Sequence, residues 1–257
     1  MPLEVHLIDM RHVNDNYNFV LRDQATGKVA VVDPSELEGV QAFLTDKGWS
    51  LDAILCTHHH WDHTNGNREV QKIYDCPIVG NAADAARIPG ITEQVHVGGT
   101  YALGESVAEI LPLDGHTMGH IAYYFADSQA LFCGDALFSM GCGRLFEGTP
   151  EDLAATMQRI RALPEDTKIY CAHEYTIANG RFARAMEPEN AAVTAHIERA
   201  KAQRKAGQAT IPSTLAEECQ SNPFLRWDSP EIQSVLAMQG ANPSAILGEL
   251  RARKDAF

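Results

Sequence analysis

Four of the eleven histidines in this chain lie within six consecutive residues, in the stretch T-H-H-H-W-D-H-T-N-G from Thr57 to Gly66. Imidazoles are only moderately good core side chains, and four of them close together repel one another when they are protonated. A fold that contains this cluster needs something that compensates for it. A divalent metal ion is the first candidate, because neutral imidazole is a common metal ligand.

The spacing within the cluster favours metal binding on one side of the chain. The preceding segment D-A-I-L-C-T has the composition of a strand. Residues i and i+2 of an extended chain point the same way, so His58 and His60 can reach one ion. His59 then points to the other side and is interpreted as structural, and Trp61 is interpreted as a packing residue. Asp62 and His63 follow a change of chain direction and can serve a second ion.

One segment cannot complete two coordination shells, so distant ligands are required. The sequence offers three candidates, each at the end of a predicted strand: His116, Asp135 and His173. If Asp135 bridges the ions, each ion has four protein ligands. These are His58, His60, His116 and Asp135 for one ion, and Asp62, His63, His173 and Asp135 for the other. Mixed nitrogen and oxygen ligands without thiolate suit zinc, and they also allow iron or manganese.

Two further polar residues, His120 and Asp33, are predicted to lie near this site. His120 is interpreted as packing against the site or supporting it. Asp33, in V-V-D-P, has two equal interpretations. It can orient a metal-binding histidine through a hydrogen bond, or it can cap the helix that follows.

Short β-rich runs alternate with helical ones over residues 1–173, which predicts a mixed α/β layered protein. A helix is predicted over about 35–47. Another is predicted to begin after Thr149, with Pro150 in its first turn and Asp152 bonding back to the cap. The last helix of the chain is predicted to start near one of two polar residues, Asn242 or Ser244.

The distribution of charge also divides the chain. Residues 1–173 hold 24 acidic and 11 basic side chains, whereas residues 174–257 hold 10 of each and are helical in composition. We therefore predict a catalytic domain over 1–173 and a small helical domain over 174–257.

Composition and charge exclude several classes of function. A net charge of −13 without a basic stripe argues against a nucleic-acid partner. No run of 18 apolar residues exists that could cross a membrane, and the N-terminus lacks the features of a secretory signal. The six cysteines are scattered, without a C-x-x-C pair, which argues against a disulfide framework and a zinc knuckle. A reduced, cytoplasmic location is the expectation.

These motifs resemble those of a known superfamily. The pattern H-x-H-x-D-H, followed by a separate His, Asp and His, is similar to the signature of the metallo-β-lactamase superfamily. Four further segments resemble the hydroxyacylglutathione hydrolases, also called glyoxalase II: M-G-C-G-R-L-F-E-G-T, the H-E-Y that begins at His173, N-P-F-L-R and R-A-R-K-D-A-F. The resemblance covers essentially the whole chain. It implies an αββα sandwich with a small C-terminal all-helical domain that binds glutathione.

The resemblance also implies an activity. It is the hydrolysis of S-D-lactoylglutathione to D-lactate and glutathione, the second step of methylglyoxal detoxification, by a metal-dependent thioesterase. Two divalent ions, zinc first and otherwise iron or manganese, would generate the hydroxide that attacks the thioester carbonyl. Asp62 and Asp135 are the implied catalytic carboxylates. The expected partner is a small-molecule glutathione thioester, and the expected state is a monomer.

Five residues match substrate-binding positions of the resembled family: Arg144, Phe146, Tyr175, Arg251 and Lys254. The sequence also departs from the family pattern. Arg144 stands where lysine is usual, and Phe146 replaces a tyrosine, which predicts weaker glutathione binding. Leu145 replaces an aromatic residue, and Asp114 stands where proline is common. Cys142 lies in the same loop without an evident base beside it, so it is interpreted as structural. Without the resemblance, Arg251 and Lys254 would indicate a solvated helix face.

Three alternatives compete with this prediction. The first is a glutathione persulfide dioxygenase with a mononuclear iron site, an oxygen-consuming member of the same superfamily. The second is a β-lactamase, which is disfavoured because Asp135 stands where many of those enzymes have cysteine. The third is a metal-binding protein without catalysis, which leaves the substrate motifs unexplained.

Overall fold

The apolar runs of the first half of the chain form strands in the computed structural model, which describes residues 3–257. The chain is organised as two compact units. Unit 1 comprises residues 3–112 and 119–134, and unit 2 comprises residues 113–118 and 135–257. These two units are defined by how closely their residues pack. The division of the chain into two domains at residue 173 stays a prediction.

The first sheet of unit 1 has six strands in the order in which they occur in the chain. They are β1 Leu3–Met10, β2 Asn16–Asp23, β3 Val29–Val32, β4 Ala53–Leu55, β5 Ile78–Asn81 and β6 Glu93–Val95. The first three pair antiparallel, and the others pair in parallel. Parallel pairs need long crossovers. These contain α1 (Leu37–Lys47), α2 (Trp61–Thr64) and α3 (Asn67–Tyr74).

The second sheet of unit 1 contains an antiparallel meander. Its strands are β7 Thr100–Leu103, β8 Ser106–Pro112, β9 Ile121–Phe125 and β10 Ala130–Gly134. The two sheets meet face to face, since the rings of Phe19 and Phe132 lie 5.7 Å apart. The buried Tyr123 hydroxyl also donates to the carbonyl of Cys56, at 3.2 Å.

Helices cover the other face of the first sheet. Val20 and Ile54 pack there in one buried cluster with Val40 and Leu44 of α1 and Val70 of α3. The middle strands are therefore buried on both faces, which explains their continuous apolar sequences.

One buried carboxylate joins the turn after β2 to the turn between β7 and β8. Asp23 accepts hydrogen bonds from the Thr26 hydroxyl at 2.5 Å and from the Ser106 hydroxyl at 2.7 Å. The backbone N–H groups of Thr26 and Glu105 add two more. Burial raises the pKa of Asp23, but these hydrogen bonds outweigh burial and hold the pKa well below its usual range.

We expect Asp23→Asn to lower the free energy of unfolding at pH 7 by about 2 kcal/mol or more, because several hydrogen bonds to a charged acceptor are weakened. A depressed pKa in the folded state adds stability above the unfolded pKa, near 4, and this stability is lost as the pH falls toward the folded pKa. Urea unfolding between pH 7 and pH 3 checks this. The variant should lose less stability than the parent over this range. Asp46→Asn, at an exposed carboxylate, is the control and should behave like the parent.

Unit 2 is mainly helical. Its helices are α4 Pro150–Arg161, α5 Thr176–Met186, α6 Ala191–Lys205, α7 Leu215–Ser221, α8 Pro230–Leu236 and α9 Pro243–Ala256. Its strands are the hairpin β11 Leu137–Phe138 with β12 Gly141–Cys142, and the pair β13 Lys168–Cys171 with β14 Ser213–Thr214.

The helix starts follow the capping rules. Thr149 and Asp152 form the expected reciprocal capping box at the start of α4. Asn242 caps α9 by accepting from the N–H of Ala245 at 2.8 Å, so Asn242 and not Ser244 is the cap. All six cysteines are free thiols.

Candidate metal centre

The end of strand β4 places Thr57 and His58 beside Asp33. One Asp33 carboxylate oxygen accepts from the N–H of Thr57 at 2.8 Å, and the other accepts from the Thr57 hydroxyl at 2.6 Å. The second oxygen also lies 3.2 Å from Nδ1 of His63. An Nδ1–H donated to this carboxylate leaves Nε2 of His63 as a neutral ligand atom.

The two interpretations of Asp33 are thereby resolved. The residue that precedes α1 is Glu36, and it makes no side-chain capping bond. Asp33 bonds Thr57 and contacts His63 instead, so it orients a candidate metal ligand and does not cap the helix.

Two asparagines hold the backbone and the carboxylate of Asp62. Asn14 Nδ2 donates to the carboxylate at 2.5 Å, and Asn16 Nδ2 donates to the Asp62 carbonyl at 2.6 Å. Neither residue was predicted from the sequence. Nothing in their local sequence marks them, because the loop before β2 reaches the candidate ligand only through the fold.

The other residues of the histidine cluster have separate roles. His59 Nδ1 lies 3.0 Å from a carboxylate oxygen of the buried Asp84, which is consistent with a structural role. His120 stacks on His58 with ring centroids 4.6 Å apart, as expected of a supporting residue. Trp61 is 64% exposed, so its interpretation as a packing residue is wrong. The four-residue helix α2 buries Asp62, His63 and Thr64 and leaves Trp61 outside.

In unit 2, Asp135 brings two histidines together. Its Oδ2 lies 3.4 Å from Nε2 of His116, and its Oδ1 lies 3.3 Å from Nε2 of His173. All three side chains are buried. A carboxylate between two imidazole nitrogens is the arrangement expected of a shared ligand.

Neighbouring groups fix the orientation of the imidazole rings of His116 and His173. His116 Nδ1 lies 2.9 Å from the carbonyl of Arg144, which can only accept a hydrogen bond. The proton is therefore on Nδ1, and Nε2 carries the lone pair. The ring of His173 stacks on Tyr175 with centroids 4.8 Å apart, and Phe138 contacts its edge at 5.7 Å.

The donors in each unit fit a divalent ion. In unit 1, Nε2 of His63 lies 3.9 Å from Oδ2 of Asp62, and the ring centroids of His58 and His60 lie 4.8 Å apart. In unit 2, Asp135 faces the two Nε2 atoms just described. Buried imidazole and carboxylate groups without thiolate suit zinc, iron and manganese. The chemistry of the residues therefore agrees with the predicted metal binding.

The expected substrate-binding residues of unit 2 lie in contrasting environments. Phe146 is 62% exposed, with its ring 5.2 Å from that of His116. Arg144 is exposed, and its Nε lies 3.5 Å from the Asp255 carboxylate. Lys254 is partly buried, with its amine 5.6 Å from the Phe182 ring centroid. Burial, together with the nearby Arg251, lowers the pKa of Lys254.

Arg251 is buried, which excludes the alternative of a solvated helix face at this residue. Its Nη1 donates to the carbonyl of Cys142 at 2.8 Å, and its Nη2 donates to Asp255 at 3.0 Å. Burial raises the pKa of the Cys142 thiol against the opposing effect of Arg251. The thiol is therefore protonated at neutral pH, which agrees with a structural role.

Two protein-family models match the chain, one after the other. The model of the metallo-β-lactamase superfamily matches residues 15–173, and that of the hydroxyacylglutathione hydrolase C-terminus matches residues 174–257.

Curated relatives match over nearly the whole chain. The hydroxyacylglutathione hydrolase of Methylococcus capsulatus is 46% identical, over 98% of this chain and 99% of its own length. That of Rhodospirillum rubrum is 46% identical over 99% of both chains. That of Ruegeria pomeroyi is 44% identical over the full length of both.

Solved structures confirm the fold. ETHE1 from Myxococcus xanthus superposes with a TM-score of 0.67 and 22% identity, over 98% of this chain and 99% of its own. The B3 metallo-β-lactamase BLEG-1 gives 0.65 and 20%, over 86% and 99%. The metallo-β-lactamase fold with a C-terminal helical domain is therefore confirmed. Within residues 3–257, no helix has the length and apolar character needed to cross a membrane.

Proposed function

This chain belongs to the hydroxyacylglutathione hydrolase family of the metallo-β-lactamase superfamily, and we propose that its substrate is S-D-lactoylglutathione. It is a metal-dependent thioester hydrolase, and the products would be D-lactate and glutathione. The observation that carries this conclusion is the identity of 46% with a hydroxyacylglutathione hydrolase over 98% of this chain. The match of the C-terminal family model to residues 174–257 supports it.

Seven residues are proposed to hold two ions, with Asp135 shared. His58, His60 and His116 complete one set, and Asp62, His63 and His173 complete the other. The order of these residues in the sequence supports the assignment, as does the pairing of Asp135 with His116 and His173 inside unit 2. Zinc is the first candidate, and iron and manganese suit the same donors.

The ions supply, when bound, Lewis acidity and a water molecule whose pKa is lowered toward neutrality. The chain supplies orientation. Asp33 holds His63 in one tautomer, and the Arg144 carbonyl does the same for His116. Asn14 fixes the carboxylate of Asp62. Asp62 and Asp135 are the carboxylates proposed to act in catalysis.

Glutathione is proposed to bind through side chains of unit 2. Its glycine carboxylate needs cationic partners on a chain with a net charge of −13. Arg144 and Lys254 are at least partly accessible cations, and the buried Arg251 adds a third positive charge. Tyr175, partly buried beside His173, is proposed to donate its hydroxyl to the substrate. Phe146 offers only a ring. A monomeric, cytoplasmic enzyme without nucleic-acid or membrane partners is proposed on the sequence arguments alone.

We expect Phe146→Tyr to lower the KM for S-D-lactoylglutathione about two- to tenfold, the equivalent of one added hydrogen bond of about 0.5–1.5 kcal/mol. The ring is exposed, so the hydroxyl adds no burial cost. Initial rates over a range of substrate concentrations provide the measurement. Phe257→Tyr, at a second exposed ring of unit 2, is the matched control and should leave KM unchanged. An unchanged KM in Phe146→Tyr would contradict the proposed position of this side chain.

Release of thiol from S-D-lactoylglutathione by zinc-loaded and iron-loaded protein tests the proposed function. Hydrolysis predicts thiol release without oxygen consumption. Oxygen consumption with glutathione persulfide, together with no thiol release from the thioester, would favour the dioxygenase instead.

A further inference from the structure

A six-residue segment, 138–143, connects two parts of the proposed site, and side chains of the C-terminal region hold it along its length. This hairpin segment begins three residues after Asp135 and ends immediately before Arg144. Five buried side chains from residues 174–257 bond it: Asn179, His196, Glu218, Asn222 and Arg251. Among them, Asn222 and Glu218 are wholly buried, each 0% exposed.

Asn222 holds both strands of the hairpin. Its Nδ2 donates to the carbonyls of Phe138 and Gly141, each at 3.0 Å, and these two residues are opposite each other in the hairpin. The same nitrogen lies 3.0 Å from Oε2 of Glu218. Its two hydrogens thus serve three acceptors. The Asn222 Oδ1 accepts from the N–H of Phe224 at 3.0 Å, which fixes the amide orientation.

Glu218 holds the turn between the strands. Its Oε2 accepts from the N–H of Met140 at 2.8 Å. Met140 has a φ of +55°, a left-handed conformation that a residue other than glycine rarely adopts. The other oxygen, Oε1, is buried without a hydrogen-bond partner among residues 3–257. Burying a carboxylate with hydrogen bonds to only one of its two oxygens lowers the stability of the fold. Its presence here therefore indicates that Glu218 has a role other than stabilising the fold.

The hairpin segment contacts every candidate ligand in unit 2. The ring of Phe138 lies 5.7 Å from that of His173. At the other end, Gly143 packs so closely that a Cβ at this position would overlap the Asp135 carbonyl and crowd His116. The position of the segment therefore bears on the packing of all three ligands, and Arg144 follows it directly in the chain.

We propose that Asn222 and Glu218 are positioning residues of the reaction. They set the hairpin segment, and through it the metal ligands of unit 2 and the start of the substrate loop. The turnover part of this inference rests on the proposed function, whereas the effect on metal affinity does not. Partners that bond a metal ligand directly typically change affinity or activity about 10- to 100-fold when they are lost. Asn222 and Glu218 act through the hairpin segment, so we expect a loss at the lower end of this range, about tenfold, in Asn222→Ala and a smaller one in the near-isosteric Glu218→Gln.

The test compares zinc affinity, by competition with a chelator, and the KM and kcat of the folded protein. Glu187→Gln is the matched control. Glu187 is a buried carboxylate of the same unit, which accepts from Arg226 and Ser229 and makes no bond to the hairpin segment. This control should lower the melting temperature and leave zinc affinity and KM unchanged. If Asn222→Ala does not fold, zinc affinity, KM and kcat are compared in the same way for Asn222→Ser and Glu218→Gln.

A lower zinc affinity and a raised KM in the Asn222 and Glu218 variants, but not in Glu187→Gln, would support the positioning role. Zinc affinity and KM within twofold of the parent, alongside a lower melting temperature, would overturn it and leave a purely structural role. A parent protein that binds zinc but releases no thiol would contradict the proposed function. The comparison of zinc affinities would still decide the positioning role.

Discussion

Replacing Asp135 with asparagine is expected to remove bound metal and to lower kcat/KM for S-D-lactoylglutathione more than about 100-fold. Loss of a residue that only hydrogen-bonds a metal ligand already lowers affinity or activity by up to about 100-fold, and Asp135 is proposed to bind the metal itself. The two carboxylate oxygens of Asp135 lie 3.4 Å from His116 and 3.3 Å from His173. Asparagine keeps the shape but removes the negative charge that a shared ligand provides. The measurement is metal content after dialysis, together with initial rates.

The fold should survive this substitution, because the side-chain volume is unchanged. Circular dichroism of the metal-free variant should therefore match that of the metal-free parent. Asp127→Asn makes the same chemical change at an exposed carboxylate and should retain metal and activity. Full metal content with normal kcat/KM in Asp135→Asn would contradict the assignment of Asp135 as the shared ligand.

Replacing Lys254 with alanine is expected to raise the KM for S-D-lactoylglutathione about tenfold, with kcat nearly unchanged. A hydrogen bond between charged groups contributes about 1.5–3 kcal/mol. Because Lys254 is partly exposed, we expect a contribution at the lower end of this range, about 1.4 kcal/mol, which corresponds to about a tenfold change in KM. Arg251 is a less informative choice for this test, because its guanidinium also holds the carbonyl of Cys142, at 2.8 Å.

The direction in which KM changes with pH follows from the charge of Lys254. Only the protonated amine attracts a carboxylate, so the KM of the parent should rise as the pH passes the Lys254 pKa. Burial and Arg251 lower that pKa, so the rise should begin below the usual lysine range near 10.4. Lys205→Ala, at an exposed lysine of the same unit, is the control. An unchanged KM in Lys254→Ala would remove this residue from the substrate site.

Several of the candidate ligands could be predicted because they follow a recognisable strand, whereas Asp62 and His63 lie in α2. The alternation rule placed His58 and His60 together, and the apolar runs before His116, Asp135 and His173 placed each at a strand end. The capping box at Thr149 is similarly local, since all of its hydrogen bonds lie within one turn. These features depend on neighbouring residues in the chain.

The features that were missed depend on distant residues. Asn14 and Asn16 reach Asp62 across more than 40 positions of sequence. The strands β11 and β12 have only two residues each, too few for any periodicity, and hydrogen bonds from Asn222 hold them. Likewise, the three-residue spacing of Arg251 and Lys254 predicted a shared helix face. It could not show that Arg251 is buried against Cys142.

The most direct test of the central claim is the stoichiometry of products before and after metal removal. Protein stripped with a chelator and reloaded with zinc is incubated with S-D-lactoylglutathione, and free thiol and D-lactate are measured together. We expect no turnover by the stripped protein. After reloading we expect one thiol for each D-lactate, with activity that stops rising near two zinc ions per chain. Turnover by the metal-free protein, or zinc binding at the predicted ligands without thiol release, would contradict it.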